Sequence, residues 1–289
     1  MPDLDETQSS TRLLTHLFAR LEASVVGQRR LLERLVIGLL AGGHVLIEGV
    51  PGLAKTRAVR ALAHAMNLPY RRIQFTPDLL PADLTGTQVY HPSSSSFDAR
   101  PGPIVTSVLL ADEINRAPAK VQSALLEAMQ EGQVTIGDET IVLPDPYFVL
   151  ATQNPIEHEG TYPLPEAQLD RFLLKLVVSY PDRSAELAML DLPDLRGPED
   201  PALESAAPLF GPSEVRALRR QTASVRVAEA IKGYVVDLVR ATRDPDPLGL
   251  DLSSLIELGA SPRASLALVR SAQAHALLLG RDYVTPHDV

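Results

Sequence analysis

Gly49, Val50, Pro51, Gly52, Leu53, Ala54, Lys55 and Thr56 stand in a row behind the apolar run His44-Val45-Leu46-Ile47 and ahead of a helix-forming stretch at 57–66. Strand, glycine-rich turn, Lys-Thr, helix is the order that cradles a phosphate. Glycines let the backbone wrap closely enough for successive N–H groups to aim at an anion, and the helix N-terminus adds partial positive charge. In such a loop Lys55 reaches the β- and γ-phosphates and the Thr56 hydroxyl ligates Mg2+. Ala54 stands where the general pattern has its last glycine. That position opens the helix, where a helical φ suits alanine. The bland alternative is a glycine turn that only caps a helix.

A second apolar run, Val108-Leu109-Leu110-Ala111, ends in Asp112-Glu113. A parallel strand delivers its C-terminal end beside the phosphate loop. There Asp112 can hold Mg2+ through water, and Glu113 can polarise an attacking water or take its proton. Alone, the pair reads equally well as turn acids; downstream of a phosphate loop it gains weight. Asn154 ends the next strand. It is either the first half of an Asn-Pro turn or an amide that positions the water and reads the γ-phosphate. Arg171 precedes a further strand, and Arg263 opens a helix after Ser261-Pro262. Surface ion pairing would explain the first. A cation at a helix N-terminus is unfavourable, which argues that Arg263 has another purpose. His158-Glu159 lacks a second histidine at the spacing of a zinc hydrolase.

These residues need a scaffold. Helical patterns cover 11–21 and a segment with Leu32, Leu35, Val36, Leu39 and Leu40 on one face. Strands are expected at 70–75, 107–111, 147–151 and 172–178, with helices at 118–131 and 165–170 between them. Residues 133–143 read as a hairpin around Gly137-Asp138. Residues 76–104, with five prolines and a serine tract, read as an irregular insertion. Strands alternating with helices imply α/β architecture with a doubly wound parallel sheet of five strands. After Pro181 only helical runs remain, at 183–190, 213–221, 227–242 and 263–279, around a proline-rich loop at 192–212. The expected division is a core at 1–180 and a smaller all-α domain at 181–289. The sequence stops where a helix begins, at Thr285-Pro286, so a further C-terminal helix is expected.

Composition sets bounds. With 27 basic and 36 acidic residues the chain carries −9, a poor field for gripping nucleic acid. It has no cysteine, which excludes disulfides and thiolate chemistry. The acidic, polar start is not a signal peptide, and no apolar stretch approaches the ~18 residues that span a bilayer. A cytoplasmic location without membrane insertion is expected.

Taken together the sequence resembles the MoxR family of AAA+ ATPases over essentially its whole length. The resemblance rests on GVPGLAKT at 49–56, LLADEINRAPAKVQSALLEAMQE at 109–131, ATQNP at 151–155, LPEAQLDRF at 164–172 and SPRA at 261–264. It implies a P-loop AAA+ core with a helical lid, and an alanine at position 54 is usual there. It implies ATP with Mg2+, and roles for Lys55 and Thr56 as Walker A, Asp112 and Glu113 as Walker B, and Asn154 as sensor 1. Arg171 matches the arginine finger, with Arg116 as the alternative, and Arg263 matches the lid's sensor 2. Val26 and Gly27 match the segment lining the adenine pocket. The family implies a ring, usually a hexamer, a chaperone-like role, and a partner carrying a von Willebrand factor A domain. Arg263 is then expected to bridge the second domain to the phosphate of its own chain.

Two other functions compete. A nucleic-acid motor should present Lys or Arg on its hairpin, but 133–143 carries Asp138 and Glu139 and no base. A nucleotide-gated scaffold with little turnover would not need both Glu113 and Asn154.

Overall fold

The computed structural model describes residues 4–49, 55–154, 160–190, 206–245 and 255–289. Its centre is a five-stranded sheet in the order β2-β5-β8-β1-β9. The strands are β1 (Val45–Glu48), β2 (Tyr70–Gln74), β5 (Val108–Asp112), β8 (Phe148–Gln153) and β9 (Leu174–Val177), and every pairing is parallel. Parallel strands covered on both faces read as continuous apolar runs, as β1, β5 and β8 do. Their side chains nevertheless alternate between faces and so feed two cores. Val45, Ile47, Val108, Leu110, Phe148 and Leu150 join one. Leu46, Leu109, Ala111, Val149 and Ala151 join the other.

The first core is roofed by α1 (Leu4–Ser24), α2 (Arg29–Leu40) and α3 (Lys55–Ala65). The second is covered by α4 (Pro81–Thr85) and α5 (Ala119–Glu131). A short helix α6 (Glu166–Leu169) precedes β9, and α7 (Arg183–Leu190) follows it. The later helices are α8 (Pro212–Ser224), α9 (Glu229–Ala241) and α10 (Pro262–Leu278). Thus the five-stranded doubly wound sheet is as expected, while α1 begins seven residues earlier than its expected start at 11.

The helices after position 180 share the first core. Val215 and Leu218 of α8 and Ala272, Ala274, Ala276 and Leu277 of α10 are buried in the cluster that holds Val45 and Ile47. This explains why α2 buries Leu31 and Ile37 in addition to its expected stripe: it lies between the sheet and this outer layer. Arg219 of α8 donates through Nε to the carbonyl of Leu39 at the end of α2, 2.8 Å away.

One expectation is corrected. Residues 76–104 are not irregular: α4 leads into β3 (Gly86–His91), which pairs antiparallel with β4 (Ser96–Pro101). Both strands are largely exposed on both faces, so no apolar alternation marks them. Their cross-strand partners Tyr90 and Phe97 pack with ring centroids 5.0 Å apart and planes tilted by 47°. Gly86 adopts φ +113°, and a Cβ there would meet the Arg100 carbonyl oxygen at 2.3 Å. The other hairpin agrees with its pattern: β6 (Gln133–Ile136) and β7 (Glu139–Val142) turn through Gly137 at φ +61°. At the C-terminus, Pro286–Asp288 form a 3-10 turn. Most of the proline-rich loop at 192–212 lies outside the described residues.

Candidate functional site

The C-terminal ends of β1, β5 and β8 are neighbours in the sheet, and each ends in a candidate residue. After β1 the chain reaches Gly49. Val50, Pro51, Gly52, Leu53 and Ala54 lie outside the described residues, and Lys55 and Thr56 then open α3. Lys55 donates from Nζ to the carbonyl of Gly49 at 2.7 Å. Partial burial lowers its pKa from the ordinary lysine value, against the opposing pull of Asp112 and Glu113. Those two carboxylates therefore lie within electrostatic reach of the ammonium group.

Asp112 ends β5. Its Oδ1 accepts the Thr152 hydroxyl at 2.5 Å, and its Oδ2 accepts Arg72 Nε at 3.1 Å and Nη2 at 2.6 Å. Glu113 follows in the left-handed region, at φ 55° and ψ 52°. Its Oε2 accepts Gln74 Nε2 at 2.6 Å and Arg116 Nη1 at 3.0 Å. Asn154 is buried just past the end of β8. Lys55, Asp112, Glu113 and Asn154 thus occupy one edge of the sheet.

Sequence reasoning missed the polar side chains that hold these acids. Arg72 and Gln74 alternate on β2, the strand beside β5, and their spacing of two was the available signal. Thr152 is a hydroxyl in an otherwise apolar strand end.

Val26 and Gly27 form the bend after α1. Gly27 has φ +74°, and a Cβ on it would stand 2.4 Å from Ala185 Cβ in α7. Only glycine allows that approach. Gly27 lines a cleft of about 640 Å3 with residues 174–182, along β9.

Arg116 belongs to the 3-10 turn Ile114–Arg116 and pairs with Glu113 of its own chain. Arg171 and Arg263 are elsewhere. Leu173 N–H bonds to the His44 carbonyl, so the residues before β9 lie at the N-terminal edge of the sheet. Arg171 lines a cavity of about 380 Å3 with Gly42, Gly43, His44, Arg263 and Arg270. The Ser261 hydroxyl caps α10 by accepting Arg263 N–H at 3.1 Å and donates to Asp170 Oδ1 at 2.6 Å. Crossing a strand of β1's length separates this edge from Lys55 by roughly 13 Å, at about 3.3 Å per residue. Arg263 thus stands across the length of β1 from its own Lys55, on a helix that packs along α2, α8 and α9.

His44 supports this second edge. Its Nδ1 accepts Val149 N–H at 3.1 Å, and Nε2 lies 3.2 Å from the Met129 carbonyl. Nε2 therefore carries the proton. Burial pushes the His44 pKa down to about 4.

A phosphate-loop helix, paired acids and a polar strand end on a parallel sheet, with a helical annex, define an AAA+ ATPase. Residues 44–174 match the family model described as ATPase family associated with various cellular activities, and residues 251–289 match the AAA lid domain. Chaperone MoxR1 of Mycobacterium tuberculosis is 51% identical, over 92% of this chain and 69% of that one. Protein MoxR of Methylorubrum extorquens is 34% identical, over 92% and 80%. A crystal structure from Cytophaga hutchinsonii, of a protein assigned as an ATPase, superposes with a TM-score of 0.90 at 45% identity, over 98% of this chain and 85% of that one. The chain belongs to the MoxR family of AAA+ ATPases. Among the described residues no helix is long and apolar enough to cross a membrane.

Proposed function

We propose that this chain hydrolyses ATP at the edge formed by Lys55, Asp112, Glu113 and Asn154, with Mg2+ held by Thr56 and Asp112. The observation that carries the reading is the convergence of Lys55, which opens the helix after β1, with the two carboxylates at the end of β5, on the same edge of the parallel sheet. Lys55 binds the β- and γ-phosphates as a compact cation. Glu113 takes the proton of the attacking water, and the Asn154 amide orients that water. Val26 and Gly27 line the adenine, and residues 49–56 bind the phosphates. The oxygen donors of Asp112 and Thr56 suit a hard cation. When bound, Mg2+ neutralises charge developing on the phosphates. Steady-state phosphate release is the test. Turnover that needs both Mg2+ and Glu113 supports the reading; release no faster than from Glu113→Gln refutes it.

We further infer a homo-oligomeric ring, hexameric by family habit. Arg171 and Arg263 share an edge remote from their own Lys55, which suits donation to the next subunit. The relative in Mycobacterium tuberculosis is named a chaperone, which supports a chaperone-like role in remodelling or maturing a partner protein. A cytoplasmic protein with a von Willebrand factor A domain is the partner class we favour. The acidic β6–β7 turn, with Asp138 and Glu139, supports a protein substrate over a nucleic acid. Light scattering with and without ATP tests the ring, and a Glu113→Gln trap in a pull-down tests the partner.

A further inference from the structure

We infer that Thr152 is the residue that sets the relative orientation of Asp112 and Glu113, and so positions both the metal ligand and the base. The inference rests on the ATPase reading above and extends it to a side chain outside the phosphate loop and the paired acids.

Thr152 is 2% exposed, on β8 next to β5. The preceding residue, Ala151, pairs with Ala111, so Thr152 comes level with Asp112 across the sheet. Its hydroxyl makes two contacts with consecutive residues. It donates to Asp112 Oδ1 at 2.5 Å and accepts Glu113 N–H at 2.9 Å. One hydroxyl has one hydrogen to give and two lone pairs. The donor is thus committed to the Asp112 side chain and one lone pair to the Glu113 backbone.

The second contact falls where the backbone turns abnormally. Glu113 adopts φ 55° and ψ 52°, a region that residues other than glycine seldom enter. Such a conformation persists only where its surroundings hold it. The N–H of Glu113 points at Thr152, which fixes the peptide plane between the two acids. From that plane the Glu113 side chain departs toward Gln74 and Arg116. The same hydroxyl restrains the Asp112 carboxylate from the other side of its Arg72 pair. Without it, Asp112 can rotate and the Glu113 peptide can relax.

A merely structural role would be to satisfy buried polar groups. Valine separates the two, because it keeps the shape and the strand preference of threonine and lacks the hydroxyl. Thr152→Val, Thr152→Ala and Thr152→Ser are compared in the full chain. The readouts are melting temperature, Mn2+ affinity by electron paramagnetic resonance in the presence of a non-hydrolysable ATP analogue, and phosphate release. Both hydroxyl-free variants should lose roughly tenfold or more in kcat and bind Mn2+ several-fold more weakly, as expected for one hydrogen bond to a charged group. Thr152→Ser should return both to within about threefold of wild type. Equal kcat and Mn2+ affinity in Thr152→Val, or no rescue by serine, overturns the inference. So does a pair of hydroxyl-free variants that fail to fold, or that melt far lower yet keep kcat per folded molecule. If wild type releases no phosphate, the ATPase reading falls, and the Mn2+ titration still decides the role of Thr152.

Discussion

Arg263 reaches across from α10 to Asp170, with Nη1 3.6 Å from Oδ2, and so stands beside the residue that precedes Arg171. The pair is partly exposed, and an exposed pair contributes at most about 1 kcal/mol. Stability does not account for it. In the ring proposed above, two arginines gathered at one edge, away from their own Lys55, meet the phosphates of the next subunit. We expect Arg171→Ala and Arg263→Ala to bind ATP normally and to hydrolyse it slowly, by on the order of 10³-fold for an arginine finger. Mixing Arg171→Ala with Glu113→Gln should restore activity, because some interfaces then join an intact Glu113 to an intact Arg171. Activity that stays flat across mixing ratios, with co-assembly confirmed by light scattering, would exclude supply from a neighbour.

Lys55 and Glu113 should separate binding from chemistry. Lys55→Ala removes the cation that pairs with the phosphates and should abolish detectable ATP binding by calorimetry. Glu113→Gln keeps the amide N–H bonded to Thr152 and removes only the proton acceptor. It should bind ATP and stall. Equal ATP affinity for wild type and Lys55→Ala, or wild-type turnover in Glu113→Gln, would contradict this division of labour.

His44 gives a pH signature. Its pKa in the folded chain is about 4, against an ordinary histidine value of 6.5. Between these values the unfolded chain holds a proton that the folded chain refuses. Folding stability therefore falls as pH drops below about 6.5 and levels off near 4, for a total of roughly 3 kcal/mol. Urea unfolding of wild type and His44→Leu across this range is the measurement. The substitution should remove about one proton's worth of slope; an unchanged slope would assign the acid sensitivity to other groups.

How much of this was legible in the sequence differs by element. Strands β1, β5 and β8 announced themselves because burial on both faces demands unbroken apolar runs. The acids at 112–113 were legible because a strand end is where such residues are useful. The β3–β4 hairpin was not, since strands exposed on both faces impose no pattern, and prolines beside a serine tract imitate a loop. The place of Arg263 was also hidden. A helix's partner is set by which apolar surface it finds, and the Ala-rich face of α10 does not name α2. Arg72, Gln74 and Thr152 escaped because their importance lies in cross-strand neighbours, which only the strand order reveals.

Among the described residues the β3–β4 hairpin pairs with no third strand, so its amides should exchange hydrogen faster than those of β5, which lies between two partners. Protection in 86–101 equal to that in 108–112 would show an additional anchor on the hairpin.

The burial of Ala272, Ala274, Ala276 and Leu277 beside Val45 and Ile47 gives α10 a mechanical character. Arg263 sits at the outer end of a 17-residue spar, tied there to Asp170, whose far half is set into the same body as the phosphate-loop strand. We expect a pull on the guanidinium to reach β1 and the sheet around it as torque through that shared core, so that a load applied at one edge of the molecule is felt at the other.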